Sequence, residues 1–284
     1  MTGKLEVLRP GPFATIQDLG RPGLAALGVG RSGAADRGSL RLANRLVGNP
    51  EDNAVVEATL GGLAVRFTGH AVVAVTGAAC AIRVAGRAGW PDAPIPVRPG
   101  DEVELAAPER GLRSYLAVRG GIDVPPVLRA RATDTLANLG PPALSPGTTL
   151  PIGDRTRAYP GVDLAPRPSI PDEPVLRVTP GPRRDWFTGD ALATLVSAPH
   201  EVTAESNRVG IRLDGPRLRR RRTGELPPEA CVPGALQVPP AGQPILFLAD
   251  HPVTGGYPVV AVVEEDDLDL AAQVRPGQRV RFAV

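Results

Sequence analysis

The chain has 284 residues, 32 basic and 30 acidic, giving a formal charge of +2 that indicates neither a polyanion binder nor an acidic solvating tail. Its 33 glycines and 33 prolines interrupt the backbone too often for a helix bundle, whereas an apolar content of 42% is enough for a folded core. The length allows one large domain or two ordinary ones. Lys4 is the one lysine. It follows no glycine-rich loop, which excludes a Walker-type nucleotidase, and any biotinyl or ATP-handling lysine must come from another chain. Cys80 and Cys231 stand 151 positions apart with no Cys/His cluster nearby, so no metal site is expected and two buried thiols in a reducing cytoplasm are the plain reading. With no leader-like opening and no long apolar run, a soluble cytoplasmic protein is expected, with neither membrane nor nucleic acid as partner.

Short apolar or alternating runs bounded by Gly, Pro or Asp predict strands over Leu5–Leu8, Ala14–Gln17, Ala54–Thr59, Leu63–Phe67, Ala71–Thr76, Cys80–Ala85, Glu102–Ala106 and Ser114–Val118. A helix is predicted over Ala34–Val47, where Leu40, Ala43, Leu46 and Val47 share a face ahead of Gly48-Asn49-Pro50. Pro151–Pro174, with six prolines, reads as a linker or irregular crossover. The boundaries set from this are an N-terminal domain 1–160, a linker 161–174 and a C-terminal domain 175–284. Further strands follow at Val175–Thr179, Glu201–Ala204, Val209–Leu213, Ala235–Val238, Ile245–Ala249, Val259–Glu264 and Arg279–Val284, with short helices at Asp185–Val196 and Asp266–Val274. Both halves are therefore mainly β.

Gly28-Val29-Gly30-Arg31-Ser32-Gly33 matches a dinucleotide fingerprint in letters, but Pro22–Leu27 is not the buried strand such a motif requires, so a loop presenting backbone N–H groups is expected. Arg217–Arg222 lacks interleaved aromatics and reads as a solvated loop. The acidic run Glu264–Asp267 fits helix capping better than a metal cluster. His70 and His200 stand alone and read as surface or packing residues. His251 differs, because Asp250-His251-Pro252-Val253-Thr254-Gly255-Gly256-Tyr257-Pro258 follows an apolar strand and brings acid, base and hydrogen-bonding groups together with two permissive glycines. That loop is the first candidate for chemistry, against the alternative of a hairpin-like turn. Gln17-Asp18-Leu19-Gly20-Arg21 offers either an internal salt bridge or a clamp for a substrate carboxylate. Asn207-Arg208 stands at a strand entrance, as a ligand pair or an Asn-capped turn.

In order along the chain come Thr15–Arg21, Ser32-Gly33-Ala34-Ala35-Asp36, Ala43-Asn44-Arg45-Leu46-Val47-Gly48-Asn49, Glu57-Ala58-Thr59-Leu60-Gly61-Gly62, Tyr115–Ile122, Ser206–Gly210, Gly234–Pro239 and Asp250–Pro258. This series resembles the biotin-dependent carboxyltransferase-like family of allophanate hydrolase subunit 2, which includes KipA and the C component of bacterial 5-oxoprolinase. The chain departs from the family pattern at Arg129-Ala130-Arg131-Ala132-Thr133, where a Gly-Ser-Arg-Ser-Thr-like run is usual, and at Gly140-Pro141-Pro142, where a glycine pair is usual.

The resemblance implies two β-barrel-like domains of cyclophilin-like type with a few short helices. It implies a subunit of an ATP-dependent 5-oxoprolinase that opens 5-oxo-L-proline to L-glutamate. Its siblings would be a protein of the KipI type, the B component of 5-oxoprolinase, and a lactamase-like A component. ATP is the implied co-substrate, with adenine nucleotide placed on this chain or on a sibling, and biotin is not attached to this chain. Alternatives are a carboxyltransferase acting on urea or an amide, with biotin carried elsewhere, and a KipA-like regulatory binder. By residue chemistry, Arg21 and Arg208 suit developing negative charge, and Asp250, His251 and Tyr257 suit proton transfer. Gln17, Asp18, Asn207, Gln237, Thr254, Gly255 and Gly256 suit substrate binding.

Overall fold

A computed structural model describes residues 3–166, 169–224 and 226–284. The chain is mainly β, and its α-helices are Arg37–Leu46, Ala191–Ser197 and Leu268–Ala271. Among the described residues no helix is long and apolar enough to cross a membrane. Two compact units form, one from Met1–Arg21, Asp36–Asp134 and Asn138–Ile170, the other from Pro22–Ala35, Thr135–Ala137 and Pro171–Val284. The main break falls inside the segment 161–174, and two short segments from the first half join the C-terminal unit.

The N-terminal unit contains a seven-stranded sheet in the order Gly120–Ile122, Thr149–Arg155, Lys4–Pro10, Leu63–Phe67, Glu102–Leu105, Ile82–Val84, Arg87–Gly89. Its second sheet has five strands in the order Phe13–Gln17, Val55–Thr59, Arg113–Val118, Ala71–Gly77, Ile95–Val97. Alternation along the strands puts Ala14 and Ile16, Val56 and Ala58, Val73 and Val75, and Leu116 and Val118 into one core with Leu5, Val7, Leu63, Val65 and Phe67 of the other sheet. Thr15, Gln17, Glu57, Thr76 and Tyr115 therefore face the other way, and they too are buried. Helix Arg37–Leu46 packs on that face against Ala71–Gly77 and Arg113–Val118. The segment from Pro151 onward is not all linker. Thr149–Arg155 is a strand, with Leu150 opposite Leu5 in register, because Leu150 and Ile152 supply the apolar alternation that Pro151 obscures.

The helix begins three residues later than predicted. Ser32 (φ 52°) and Gly33 (φ 92°) are left-handed, and Asp36 is the N-cap, its Oδ1 accepting from the Ser39 N–H at 2.8 Å and its Oδ2 from the Ser39 hydroxyl at 2.6 Å. At the far end Asn49 donates to the Val118 carbonyl (2.8 Å) and to Asn44 Oδ1 (3.0 Å) while accepting from the Gly120 N–H (2.8 Å). Asn44 in turn donates to the Asn53 carbonyl at 2.8 Å. These buried amides satisfy backbone groups that the helix end and a strand start would otherwise leave unpaired.

The C-terminal unit contains a closed seven-stranded barrel in the order Val175–Pro180, Val259–Val263, Ala235–Gln237, Ile245–Phe247, Gly210–Asp214, His200–Val202, Arg279–Ala283. The ring closes through parallel pairing of the first and last of these. Leu176, Val178, Leu213, Leu236, Leu246 and Phe282 fill it, with Trp186 and Phe187 in the same core. Its helices are shorter than predicted, and Arg184–Trp186 and Glu265–Asp267 are 3₁₀ turns. The acidic run does not cap by side chain. Asp267 instead accepts from the Arg177 backbone N–H (2.6 Å) and guanidinium (2.8 Å), which holds its carboxyl below the usual range. His200 is a packing residue, buried with Nε2 3.0 Å from the Leu195 carbonyl, and burial lowers its pKa. Cys80 is buried as expected, whereas Cys231 is only half-buried, and both are free thiols.

Asn49→Ala removes three hydrogen bonds at a buried position and is expected to cost about 2–4 kcal/mol. Urea unfolding followed by circular dichroism measures it. A midpoint equal to wild type would show that the amide chain does not hold the helix end.

Candidate functional site

In the C-terminal unit, the polar loop following Ile245–Phe247 begins at Asp250, which is buried. Its Oδ1 accepts from the Ser32 hydroxyl (2.6 Å) and Arg208 Nη2 (3.0 Å). Its Oδ2 accepts from Arg208 Nε (2.9 Å), the Thr135 N–H (3.0 Å) and the Thr135 hydroxyl (2.7 Å). Arg208 is buried as well and also donates to the Gly33 carbonyl at 2.5 Å. Burial by itself raises a carboxyl pKa, but Arg208, Ser32 and Thr135 outweigh it and hold Asp250 below the usual carboxylate range. With five donors on two oxygens, the carboxylate is ionised and its acceptor positions are filled. The chemistry of this arrangement is anchorage: one carboxylate ties Ser32, Thr135 and Arg208 together. Ser32 contributes from a left-handed backbone, a conformation costly for a non-glycine residue.

Next in the chain, His251 lies largely buried, stacked on Phe247 with ring centroids 5.9 Å apart. Its Nδ1 is 2.8 Å from the Pro252 carbonyl, a partner that assigns the proton to Nδ1 and leaves Nε2 as the basic nitrogen. Thr254–Gly255 then pairs with Glu229–Ala230, which brings Gly255 against buried Gln237. A Cβ at Gly255 would stand 2.5 Å from Gln237 Nε2 and 3.0 Å from Cys231 Sγ, so a larger residue there would displace the Gln237 side chain. Gln237 Nε2 is itself 3.6 Å from that sulfur, and burial raises the pKa of the Cys231 thiol. Thr254, Gly256 and Tyr257 are exposed. Asn207 is exposed and closes its own turn, its Oδ1 accepting from the Val209 N–H at 2.8 Å, the Asn-capped alternative for that stretch.

In the N-terminal unit, Gln17 ends its strand fully buried and donates from Nε2 to the Thr133 carbonyl (2.9 Å) and Thr15 Oγ1 (3.0 Å). Arg21, also buried, donates from Nη2 to the neighbouring Ala132 carbonyl at 2.5 Å, and its Nη1 stands 3.8 Å from Asp134 Oδ2. Gln17 Oε1 and Arg21 Nε and Nη1 make no hydrogen bond among the described residues although they are buried. Leaving such groups unmatched costs about 1–3 kcal/mol each. Asp18 forms neither the expected salt bridge nor an open clamp. Its carboxylate accepts from the N–H groups of Gly20 (2.7 Å) and Arg131 (2.6 Å), and burial raises its pKa against these bonds.

The strand register adds residues that the sequence does not single out. Thr15 lies opposite Glu57, Glu57 opposite Tyr115 and Tyr115 opposite Thr76, a polar row across the five-stranded sheet. The Tyr115 hydroxyl donates to Glu57 Oε2 and accepts from the Asp36 N–H, both at 2.8 Å. Burial, then the Glu57 and Asp36 carboxylates, push its pKa well above 10.0. Glu57 and Tyr115 occupy strand positions one step out of phase with the apolar core, a signal readable in Val55-Val56-Glu57-Ala58. Thr135 has none, because its partner is 115 positions away. No group of three or more potential metal ligands occurs among the described residues.

Since the folded Asp250 pKa is depressed, its ionisation stabilises the fold above the unfolded value near 3.9 and that contribution disappears as pH falls through the folded value. Asp250→Asn should cost about 3–5 kcal/mol at neutral pH, because it leaves the Arg208 charge buried without its counter-ion. The difference from wild type should shrink on acidification below about pH 4. Denaturant midpoints across that range test both statements, and a gap that stays constant with pH would refute the ionised anchor.

Residues 27–284 match the family model for the carboxyltransferase domain, subdomain A and B. The chain is 37% identical over 281 residues to the C component of 5-oxoprolinase from Escherichia coli, covering 98% of this chain and 90% of that protein. It is 33% identical over 307 residues to the urea amidolyase of Lachancea kluyveri, covering 98% of this chain but 17% of that one. Among solved structures, TTHA0988 superposes with a TM-score of 0.91 at 34% identity, over 100% of this chain and 56% of the other. The urea carboxylase of Kluyveromyces lactis superposes with a TM-score of 0.89 at 31% identity, over 98% of this chain and 27% of the other. The chain thus spans little more than half of the first structure and about a quarter of the second. A model match over most of the chain, together with full-length superposition at these identities, places the chain in the family of carboxyltransferase domains of subdomain A and B type.

Proposed function

We propose that the chain is a subunit of an ATP-dependent 5-oxoprolinase, opening the lactam of 5-oxo-L-proline to L-glutamate together with siblings of the A and B types. The observation that carries this reading is the 37% identity to the C component of a 5-oxoprolinase over 98% of this chain and 90% of that protein. Opening the ring adds water across the C–N bond, the hydroxyl going to the carbonyl carbon and the proton to the ring nitrogen. An amide is a poor electrophile, and ATP supplies the activation as a phosphoryl donor to the carbonyl oxygen, ADP leaving then and inorganic phosphate leaving once water has added at that carbon and the C–N bond has broken.

The unmatched groups of the N-terminal unit support a lactam ligand. Its edge presents one acceptor, the carbonyl oxygen, and one donor, the ring N–H. Arg21 Nε and Nη1 are donors and Gln17 Oε1 is an acceptor, held by bonds to the consecutive carbonyls of Ala132 and Thr133. In this reading Arg21 stabilises charge on the carbonyl oxygen and Gln17 orients the ring. Asp250 and Arg208 act by positioning, and proton transfer falls to His251, with Tyr257 beside it in the loop.

A second reading is favoured by the family model and by the 33% identity to urea amidolyase: a carboxyltransferase component acting on urea or an amide. Biotin would then be carried by another chain. Lys4 lies within the strand Lys4–Pro10 and not in a turn that could present a tethered cofactor.

The two readings part on co-expression with the genomic neighbours. The first expects 5-oxoproline-dependent phosphate release, with His251→Ala lowering turnover by about 100-fold or more and Gln17→Ala raising KM. Avidin-reactive partners with urea-dependent turnover, or full 5-oxoproline turnover in the His251→Ala assembly, would overturn the assignment.

A further inference from the structure

The run Arg217–Arg222 is a loop with Arg217, Arg219, Arg221 and Arg222 exposed, as expected, but its backbone is tied to the barrel. Leu218 is buried in the barrel core and donates its N–H to the Gly242 carbonyl at 2.9 Å. The segment is stitched antiparallel to Trp186–Thr188: Arg220 bridges Phe187, the Arg221 N–H donates to the Trp186 carbonyl (2.7 Å) and the Thr188 N–H to the Arg219 carbonyl (3.1 Å). The guanidinium carbons of Arg220 and Arg222 stand 5.5 and 5.8 Å from the centre of the buried Trp186 ring. The backbone that carries these arginines is therefore fixed by the barrel.

Beside it opens a cavity of about 420 Å³ lined by Arg217, Arg219, Arg220, Arg222, Thr188 and Thr223, with no carboxylate among the described residues of its wall. Among the described residues, the nearest acids serve only two of the four cations. Asp185 is 3.0 Å from Arg222, and Asp190, whose pKa is lowered chiefly by Thr188, feels Arg219. Arg220 donates from Nη2 to the Gly224 carbonyl (3.1 Å), while its Nε is buried with no hydrogen bond among the described residues. A concavity of this size suits a small molecule. Forked guanidiniums and hydroxyls without carboxylates suit phosphate oxygens, which accept from several donors at once. Trp186 is too buried to stack with nucleobases, so the site does not have the aromatic platform of a nucleic-acid groove.

We propose that this cavity binds the polyphosphate group of a nucleoside triphosphate. The assignment deepens the 5-oxoprolinase reading by giving its phosphoryl donor a place on this chain, and rests on that reading only for the nucleotide's identity.

Calorimetric titration of the purified full chain with ATP, tripolyphosphate, adenosine and polyglutamate tests it without partner subunits. ATP and tripolyphosphate should bind and adenosine should not. Affinity should fall with added salt and drop about tenfold or more in Arg220→Gln. Because Arg220 touches Trp186 and Gly224, the double variant Arg217→Gln/Arg219→Gln, at exposed positions, should weaken binding too, with folding checked by circular dichroism. In a Trp90→Phe background, ligand addition should change Trp186 fluorescence. Absence of ATP and tripolyphosphate binding at millimolar concentration overturns the proposal, as does equal affinity for polyglutamate or binding unchanged in both folded variants. Such a failure alongside intact 5-oxoproline turnover would remove this site and leave the enzymatic reading standing. Binding by a chain whose assembly shows no such turnover would support the site and remove the reaction assigned to it.

Discussion

A single buried carboxylate organises the C-terminal unit beyond its barrel. Asp250 collects Arg208, Ser32 and Thr135, while Arg208 reaches on to the Gly33 carbonyl. Sequence distance makes the point: Ser32 is 218 positions from Asp250 and Thr135 is 115. The segments Pro22–Ala35 and Thr135–Ala137 group with the barrel although they are encoded in the first half of the chain, and these bonds connect both to it. Compared with an apolar contact, a buried ion pair adds little net stability, because desolvation offsets most of the Coulomb attraction. Geometry is what it fixes. Each of the five donors has one acceptable place, so a carboxylate sets the position of segments that short apolar side chains would leave free to slide.

This anchorage has a chemical consequence. A carboxylate surrounded by donors and kept below its ordinary pKa is a poor proton shuttle, since protonation would break several bonds at once. His251, one residue along the same loop, combines a carbonyl-bound Nδ1 with a basic Nε2. A sequence that reads Asp250-His251 as an acid–base pair is thus split by packing, because the acceptor positions of Asp250 are filled by donors from Ser32, Thr135 and Arg208.

What the sequence discloses follows from how local each signal is. Most strands are legible because their period of two and bounding glycines lie within a few residues, as in Ala14–Gln17 and Leu63–Phe67. Thr149–Arg155 is hidden because Pro151 and the prolines that follow the strand imitate a linker, although Leu150 and Ile152 keep the alternation. Asn207 and Gly255 are interpretable from the turn or close approach that each requires. The pairing of Asp250 with Arg208 brings together two stretches that the sequence flags separately, whereas Thr135 carries no local mark. The departures at residues 129–133 and 140–142 acquire a reason only in three dimensions. That loop serves Arg21, Gln17 and Asp18 through the carbonyls of Ala132 and Thr133 and the N–H of Arg131, and Thr133 Oγ1 donates to the Pro141 carbonyl. Backbone atoms make most of these contacts, so most of the side chains there are free to differ.

The near absence of lysine bears on the same question. A buried lysine can shed its proton and become neutral, whereas a guanidinium stays charged and must find acceptors. Among the described residues, Arg208, Arg113 and Arg21 are the buried arginines, and their carboxylate partners stand at increasing distance. Arg208 meets Asp250 at 2.9 Å, Arg113 meets Glu57 at 3.6 Å, and Arg21 meets Asp134 at 3.8 Å. The first pair is a closed fork, with Nε and Nη2 of Arg208 both donating to the Asp250 carboxylate. Arg21 has one bond to a carbonyl and a distant counter-charge, with two donor atoms hydrogen-bonded to nothing among the described residues. A permanent cation so held carries a standing desolvation cost for each donor that meets no acceptor. That difference separates a guanidinium closely matched within the fold from one whose counter-charge stands apart.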